Sequence, residues 1–273
     1  MRYIRSLAHF IGRLVRIHRI FVAQEIKRMV EYKADFFIGM IGFLMVQCSN
    51  LLMLWIIFNS IPTLMGWSLP EVVFIYGFSL IPKGLDHLLY DNLWMVGSTI
   101  VSKGEFDKYL TRPINTLAHV LFEKLQVDAI GELVMGIALI CSVLPQISVE
   151  WSFGKILLGL VSMFFSTYIF TGVKTLTASV SFWRKRSSNI ITLGYKFANF
   201  TKYPATIYNE FIKNLITYII PFAFTSYYPS VYILTGDNPL FNVGVTVLVS
   251  VLVMGSGVIV WHLGLRAYES AGS

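Results

Sequence analysis

Charge is what this 273-residue chain has least of. Asp, Glu, Lys and Arg together make 14% of it, against about 25% in an ordinary soluble domain. Hydrophobic residues make up 55% and aromatics alone 15%. That balance excludes a disordered chain and argues against a water-soluble globular enzyme. Cysteine is nearly absent. Cys48 and Cys141 both fall inside apolar segments, with no C-x-x-C and no metal-ligand spacing, and read as small buried residues. A disulfide scaffold is thereby excluded. Signatures of nucleotide chemistry and metal hydrolysis are missing as well. Gly154–Lys155 lacks both the upstream glycine and the following hydroxyl of a phosphate-binding loop; there is no G-x-G-x-x-G behind a strand and no H-E-x-x-H. His9, His18, His87, His119 and His262 are scattered without ligand spacing. A chain with no engine of its own needs an ion gradient or a separate ATPase.

What is present is a series of long uncharged runs between basic stretches. Residues 36–58 carry no charge, and at about 1.5 Å per residue they reach roughly 34 Å, enough for a hydrocarbon core. Further spans are read at 71–96, 118–143, 154–180, from about 206, and at 240–262. The expected fold class is all-α: a polytopic membrane protein with six transmembrane helices in one domain, 1–273. Residues 1–35 form a cytoplasmic or interfacial segment and 263–273 a cytoplasmic tail. The long basic region before the first apolar run, with no cleavage pattern after it, argues against a signal peptide.

Within that frame, apolar residues from Leu7 to Met29 recur at three and four among Arg13, Arg16, Arg19, Lys27 and Arg28. This predicts an amphipathic helix over 7–31, lying in the headgroup layer or packed on a protein partner. The polar stretch 98–116 predicts a short surface helix with Val101, Phe106, Tyr109 and Leu110 on its apolar face. Pro82–Lys83–Gly84 suggests a kink in the second span. Pro221 and Pro229 interrupt the fifth, so the tyrosine-rich segment after Pro221 is expected to leave the regular span as an interfacial or re-entrant element. Gly244, Gly255 and Gly257 predict close helix approach in the sixth.

The basic residues alternate with the spans. Eight precede the first span; Lys103, Lys108 and Arg112 follow the second; Arg184, Lys185, Arg186, Lys196 and Lys202 follow the fourth; Arg266 follows the sixth. The three intervening loops have essentially none. This bias predicts a cell-membrane protein with both termini cytoplasmic, and it explains the positive balance without a nucleic-acid partner.

Among the charges inside candidate spans, Lys83, Asp86, Asp128 and Glu132 are read as intramembrane. Such groups must pair, face the bundle or line water. The three acids form either a proton or cation route or helix–helix contacts with Lys83. Lying nearer the cytoplasmic halves of their spans, they fit a midplane coupling site poorly. Lys155 and Lys174 bracket 18 uncharged residues, and each can snorkel to its nearer headgroup layer. A proton-coupled carrier and a non-transporting scaffold or membrane-embedded enzyme are the alternatives to an ATP-driven permease.

Three motifs carry a resemblance over nearly the whole chain. They are G-x-x-D-x-x-L-x-R-P at Gly104, Asp107, Leu110, Arg112 and Pro113; Y-P-x-x-I-Y at Tyr203, Pro204, Ile207 and Tyr208; and Pro221–Phe224 followed by Tyr227, Tyr228 and Pro229. The chain resembles the permease subunits of ABC-2 type ABC transporters, in the branch of short six-span bacterial permeases. The resemblance implies a non-catalytic exporter subunit with no cofactor of its own. Two permeases, identical or related, would join two copies of a separate ATPase that holds ATP and magnesium. It implies an N-terminal interface helix and a coupling helix near 98–113 that docks on the ATPase. The expected coupling residues are Gly104, Glu105, Phe106, Asp107, Tyr109, Leu110, Arg112 and Pro113. Cargo would pass along the dimer interface, past Gln47, Asn50, Trp55, Tyr76, Tyr218 and Phe222. Those aromatic, lightly polar side chains suit an amphipathic, lipid-like or peptide-like substrate.

Overall fold

The structure, a computed structural model, describes residue 19 and residues 21–270; the first half of the amphipathic segment expected over 7–31 lies outside the described residues. Residues 21–31 are helical and lead into α1 (Lys33–Ser60) through a break at Tyr32. The helices α2 (Leu69–Tyr90), α3 (Thr116–Glu123), α4 (Ile130–Val143), α5 (Phe153–Ser179), α6 (Ser188–Phe197), α7 (Tyr227–Thr235) and α8 (Val245–Ala267) follow in order. No strand forms among the described residues; the sole bridge joins Leu64 to Trp67 in the turn after α1.

Local chemistry sets the helix starts. A capping box opens α2: the Ser68 backbone N–H donates to Glu71 Oε2 at 2.8 Å, with Pro70 in the first turn. Ser152 Oγ accepts the Lys155 N–H at 3.2 Å to start α5. α2 runs on through Pro82 without interruption, and helical turns continue it to Ile100, the last as a π turn over Val96–Ile100.

Five helical stretches are long and apolar enough to cross a membrane: Lys33–Ser60, Leu69–Tyr90, Val127–Gln146, Phe153–Arg184 and Leu240–Ala267. The molecule is therefore an all-α, multi-pass membrane protein. Two sequence boundaries need correction. The third stretch begins at Val127, not near 118, because the chain turns extended at Lys124 and leaves α3 as a separate helix. The segment from 206 is not one continuous helix. Glu210–Ile219 is a short α/π piece, the backbone breaks at Ile220 and Pro221, and a 3-10 turn, Phe222–Thr225, leads into α7. Proline at 221 removes a donor where the helix would need one.

The longer path that contains this broken segment, residues 187–236, has its two ends near opposite ends of α5. The Ser187 N–H, just before α6, donates to the Gly97 carbonyl at 2.7 Å near the C-terminal end of α5. At the far side of the break, Ser166 Oγ donates to the Phe224 carbonyl at 3.1 Å. Gly236, which ends α7, lies against Lys155 at the N-terminal end of α5. Along this path the Trp67 indole N–H donates to Thr206 Oγ1 at 3.0 Å.

α2 and α5 are central: 61% and 50% of their apolar windows are buried, against 11% for α1 and 22% for α8. Close approach sets the two main packings. α2 meets α4 where a Cβ on Gly77 would sit 2.9 Å from the Gly136 carbonyl oxygen. α5 meets α8 where a Cβ on Gly172 would sit 2.8 Å from the Met254 backbone nitrogen. Gly257 faces this second contact; Gly255, also expected there, has open space. Ser162, Thr167, Thr171, Thr175 and Ser179 are buried along α5, and each hydroxyl donates to a carbonyl three or four residues earlier. Four of these groups are satisfied within their own helix; the Thr171 hydroxyl also lies 2.8 Å from Asp86 on α2 and shares its one proton between the two acceptors. Cys48 and Cys141 are exposed, contrary to the buried reading.

Candidate functional site

Two regions concentrate polar and charged side chains: the loop between α2 and α3, and the cluster between α2, α4 and α5.

The loop is a short, heavily anchored piece. Gly104 takes φ +74°, a left-handed turn suited to glycine, and Asp107–Leu110 forms a single helical turn behind it. Phe106 and Tyr109 are fully buried. The Phe106 ring packs against Tyr109, Phe182, Trp261 and Tyr268, with centroids 4.9–5.9 Å apart. Tyr109 Oη donates to Glu123 on α3, which also accepts from Lys108 Nζ at 3.2 Å and Asn92 Nδ2 at 3.3 Å. Asp107 accepts from Tyr268 Oη at 2.9 Å and Ser270 Oγ at 2.6 Å, so the C-terminal segment is tied to the loop. Arg112 Nη1 lies 3.1 Å from His119 Nε2. A guanidinium only donates, so Nε2 accepts and the His119 ring is neutral.

Electrostatics follow from this packing. Burial holds His119 below its ordinary value of 6.5. Burial also pushes Glu123 upward, but the hydrogen bonds from Tyr109 and Lys108 outweigh it and its pKa falls below the usual 4.5. Burial, with the bond to Asp107, pushes the Tyr268 hydroxyl up to about 12.

The eight residues expected in the loop thus divide. Phe106 and Tyr109 are anchors; Gly104 is the hinge of the turn; Asp107 is half-buried against the C-terminal segment. Glu105, Leu110, Arg112 and Pro113 are exposed. Asp107 and Arg112 do not pair with each other but with Tyr268, Ser270 and His119. Glu123, Asn92, His119 and Tyr268 were not singled out from the sequence. Their partners lie up to 161 residues away, and no local spacing carries that signal.

The second region is an ion-pair cluster. Lys174 Nζ sits 2.9 Å from both Asp86 Oδ2 and Asp91 Oδ1, with Lys174 and Asp86 fully buried. Asp86 also accepts from Thr171 Oγ1 at 2.8 Å and from Tyr195 Oη. Glu132 faces Lys83 Nζ at 3.3 Å and His87 Nδ1 at 3.1 Å. The expected snorkelling of Lys174 is therefore overturned: it points into the bundle, where two carboxylates hold it. Asp86 pairs with Lys174 rather than Lys83, which serves Glu132. Asp128 is half-buried, with Gln126 Nε2 donating to it at 3.3 Å. Among the described residues no group of His, Cys, Asp and Glu could hold a metal ion.

The residues expected along a cargo path are dispersed. Gln47, Asn50 and Tyr76 join in one hydrogen-bonded group between α1 and α2, Tyr76 donating to Gln47 and accepting from Asn50 at 3.3 Å. Phe222 is buried on Phe170, while Trp55 and Tyr218 are exposed.

A family described as ABC-2 family transporter protein matches residues 44–272. The chain belongs to that family. No curated protein and no solved structure matches it. The match runs from within α1 to the end of the described tail, so the loop, the ion-pair cluster and the broken segment all lie in the family region. As an ABC-2 transporter protein the chain has a permease role in an ABC transporter, and its family pairs with an ABC ATPase.

Proposed function

We propose that this chain is the non-catalytic, membrane-spanning subunit of an ATP-driven exporter, and that it moves an amphipathic or lipid-like substrate when joined to a separate ATPase. The family match over 44–272 carries this reading. In it, the chain crosses the membrane six times, five times by continuous helices and once by the broken path from α6 to α7. Both termini and the 98–116 loop face the cytoplasm, as the basic residues before α1, in that loop, at Arg184–Arg186 and at Arg266 favour; Lys196 and Lys202, counted with the fourth loop from the sequence, lie on the broken path itself. The exposed face of the loop, Glu105, Leu110, Arg112 and Pro113, docks on the ATPase. Phe106 and Tyr109 pass its movement to α5 and α8, since coupling needs a rigid contact. A second copy or a related permease completes the pathway against the exposed face of α1. The ion pairs of Asp86 and Glu132 disfavour the proton-carrier alternative, because each carboxylate already has a fixed cation.

Two measurements test this. The purified chain should hydrolyse no ATP yet co-purify with an ATPase; export on a proton gradient with no ATPase present would overturn the reading. With Cys48 and Cys141 replaced, a cysteine at position 103 or 185 should react with an impermeant maleimide only after the membrane is opened, and one at position 155 should react in intact cells. The opposite pattern would refute the orientation.

A further inference from the structure

Between α1, α2, α4 and α6 lies a cavity of about 340 Å³, within the size range of small-ligand sites. Phe43, Trp94 and Tyr195 form aromatic walls, and its charged groups are Lys83, His87, Asp91, Asp128 and Glu132. A second cavity of about 380 Å³ adjoins it, lined by Glu25, Arg28, Asp35 and again Gln126 and Asp128. Asp128 belongs to both.

The cations of these walls are already committed. Lys83 serves Glu132, and Arg28 Nη2 sits 2.7 Å from Glu25 Oε2. Asp91 is held from behind by Lys174. Lys202, the next lysine in the neighbourhood, stands 6.0 Å over the Tyr76 ring and is not in either wall. Two carboxylates, Asp35 and Asp128, line the cavities with no ion pair among the described residues. Glu132, 5% exposed, also lines the first cavity and is already held, its Oε1 by Lys83 Nζ at 3.3 Å and its Oε2 by the His87 ring nitrogen at 3.1 Å. Aromatic faces beside unmatched carboxylates are the chemistry that receives an organic cation.

We propose that the two cavities form a binding site for the ammonium headgroup of an amphiphile. Asp128 is the principal counter-charge, and Trp94 and Phe43 are the aromatic walls. The headgroup arrives beside residues 25–36 and passes Asp128 towards Glu132, while its apolar part stays along α1. The proposal names the substrate class for the permease reading and rests on that reading only for the ligand's role as cargo; binding itself does not need the ATPase.

The test therefore uses the full chain alone, in nanodiscs of phosphatidylglycerol, with empty discs as the blank. Titration calorimetry compares dodecyltrimethylammonium, dodecyl phosphate and dodecyl maltoside below their micelle concentrations. The ammonium probe should bind saturably and at least about tenfold more tightly than the phosphate, the scale of one partly buried charge contact. Asp128→Asn should remove most of that preference, and Trp94→Leu should weaken the ammonium probe but not the maltoside. Equal binding of the two charged probes by the native chain would overturn the proposal, whatever the variants do. So would an unchanged preference in Asp128→Asn. Adding phosphatidylethanolamine to the discs separates the sources. Competition with the probe identifies a bound lipid headgroup; no competition, with the probe stimulating ATP hydrolysis in the assembled complex, identifies cargo. Ammonium binding in a chain that recruits no ATPase would leave the site standing and refute the permease reading instead.

Discussion

Phe106→Ala separates holding the loop from docking on it. The Phe106 ring is fully buried among four aromatic rings, and truncating such a residue costs about 3–5 kcal/mol in transfer and cavity terms. The other anchors of the loop are the Tyr109 ring, which loses its Phe106 neighbour, and a few hydrogen bonds through Tyr109, Asp107 and Arg112, each worth about 1 kcal/mol net and somewhat more where charged. They do not offset the loss, so the turn should open locally while α2, α5 and α8 stay packed. The amides to follow are Tyr109 and Thr111, which donate to the Phe106 and Asp107 carbonyls at 2.9 and 3.2 Å. If the whole cost falls on local opening, their exchange protection should drop by roughly two to four orders of magnitude. ATP hydrolysis stimulated by the permease should fall with it. Leu110→Ala is the contrast: its side chain is 48% exposed, so exchange should stay near the native rate while stimulation falls through loss of docking area. Unchanged exchange in Phe106→Ala, or equal effects of the two variants on exchange, would refute this division.

The buried pair Asp86–Lys174 makes a second prediction. Lys174→Met leaves two carboxylates facing each other without their cation, and should cost about 3–5 kcal/mol, read as a lower unfolding temperature in detergent. Combining it with Asp86→Leu should recover part of the loss; no recovery would show that packing and not charge is the cause. A third concerns pH. His119 titrates below its ordinary 6.5 in the fold, so its contribution is complete above that value and is lost as pH falls through 6.5 towards the folded value. Glu123, also lowered, adds a further loss only below 4.5, as pH falls through its folded value. Protection at Tyr109 and Thr111, taken relative to the intrinsic exchange rate at each pH, should therefore fall between pH 7.5 and 5.5, a window of about one unit either side of the histidine's ordinary value. The step should vanish in His119→Gln. Persistence of the step in that variant would assign it to another group.

Much of the architecture was legible in the chain because a bilayer imposes a long, local signature. Runs such as 36–58 and 240–262 must be apolar for many consecutive residues, and the observed helices Lys33–Ser60 and Leu240–Ala267 contain them. The loop between α2 and α3 was likewise visible from Gly104, Pro113 and its apolar positions. Where polarity and apolarity mix within one span length, local reading failed. Glu123, Lys124, Gln126 and Asp128 let the chain separate α3 from the third span, a boundary that hydropathy had smoothed over.

Partner choice lay outside the reach of any local pattern. Lys174 looks like a terminal lysine free to reach the headgroups, yet α2 presents Asp86 and Asp91 to it from 88 and 83 residues away. Charge in a low-dielectric interior is settled by which opposite charge the packing brings within 3 Å, and that depends on how α2, α4 and α5 cross. Gly77 and Gly136 set the crossing of α2 and α4, and Gly172 that of α5 and α8. Helix existence thus follows from the chain's own apolar periods, while the pairing of its few charges follows from helix contacts that only the assembled bundle defines.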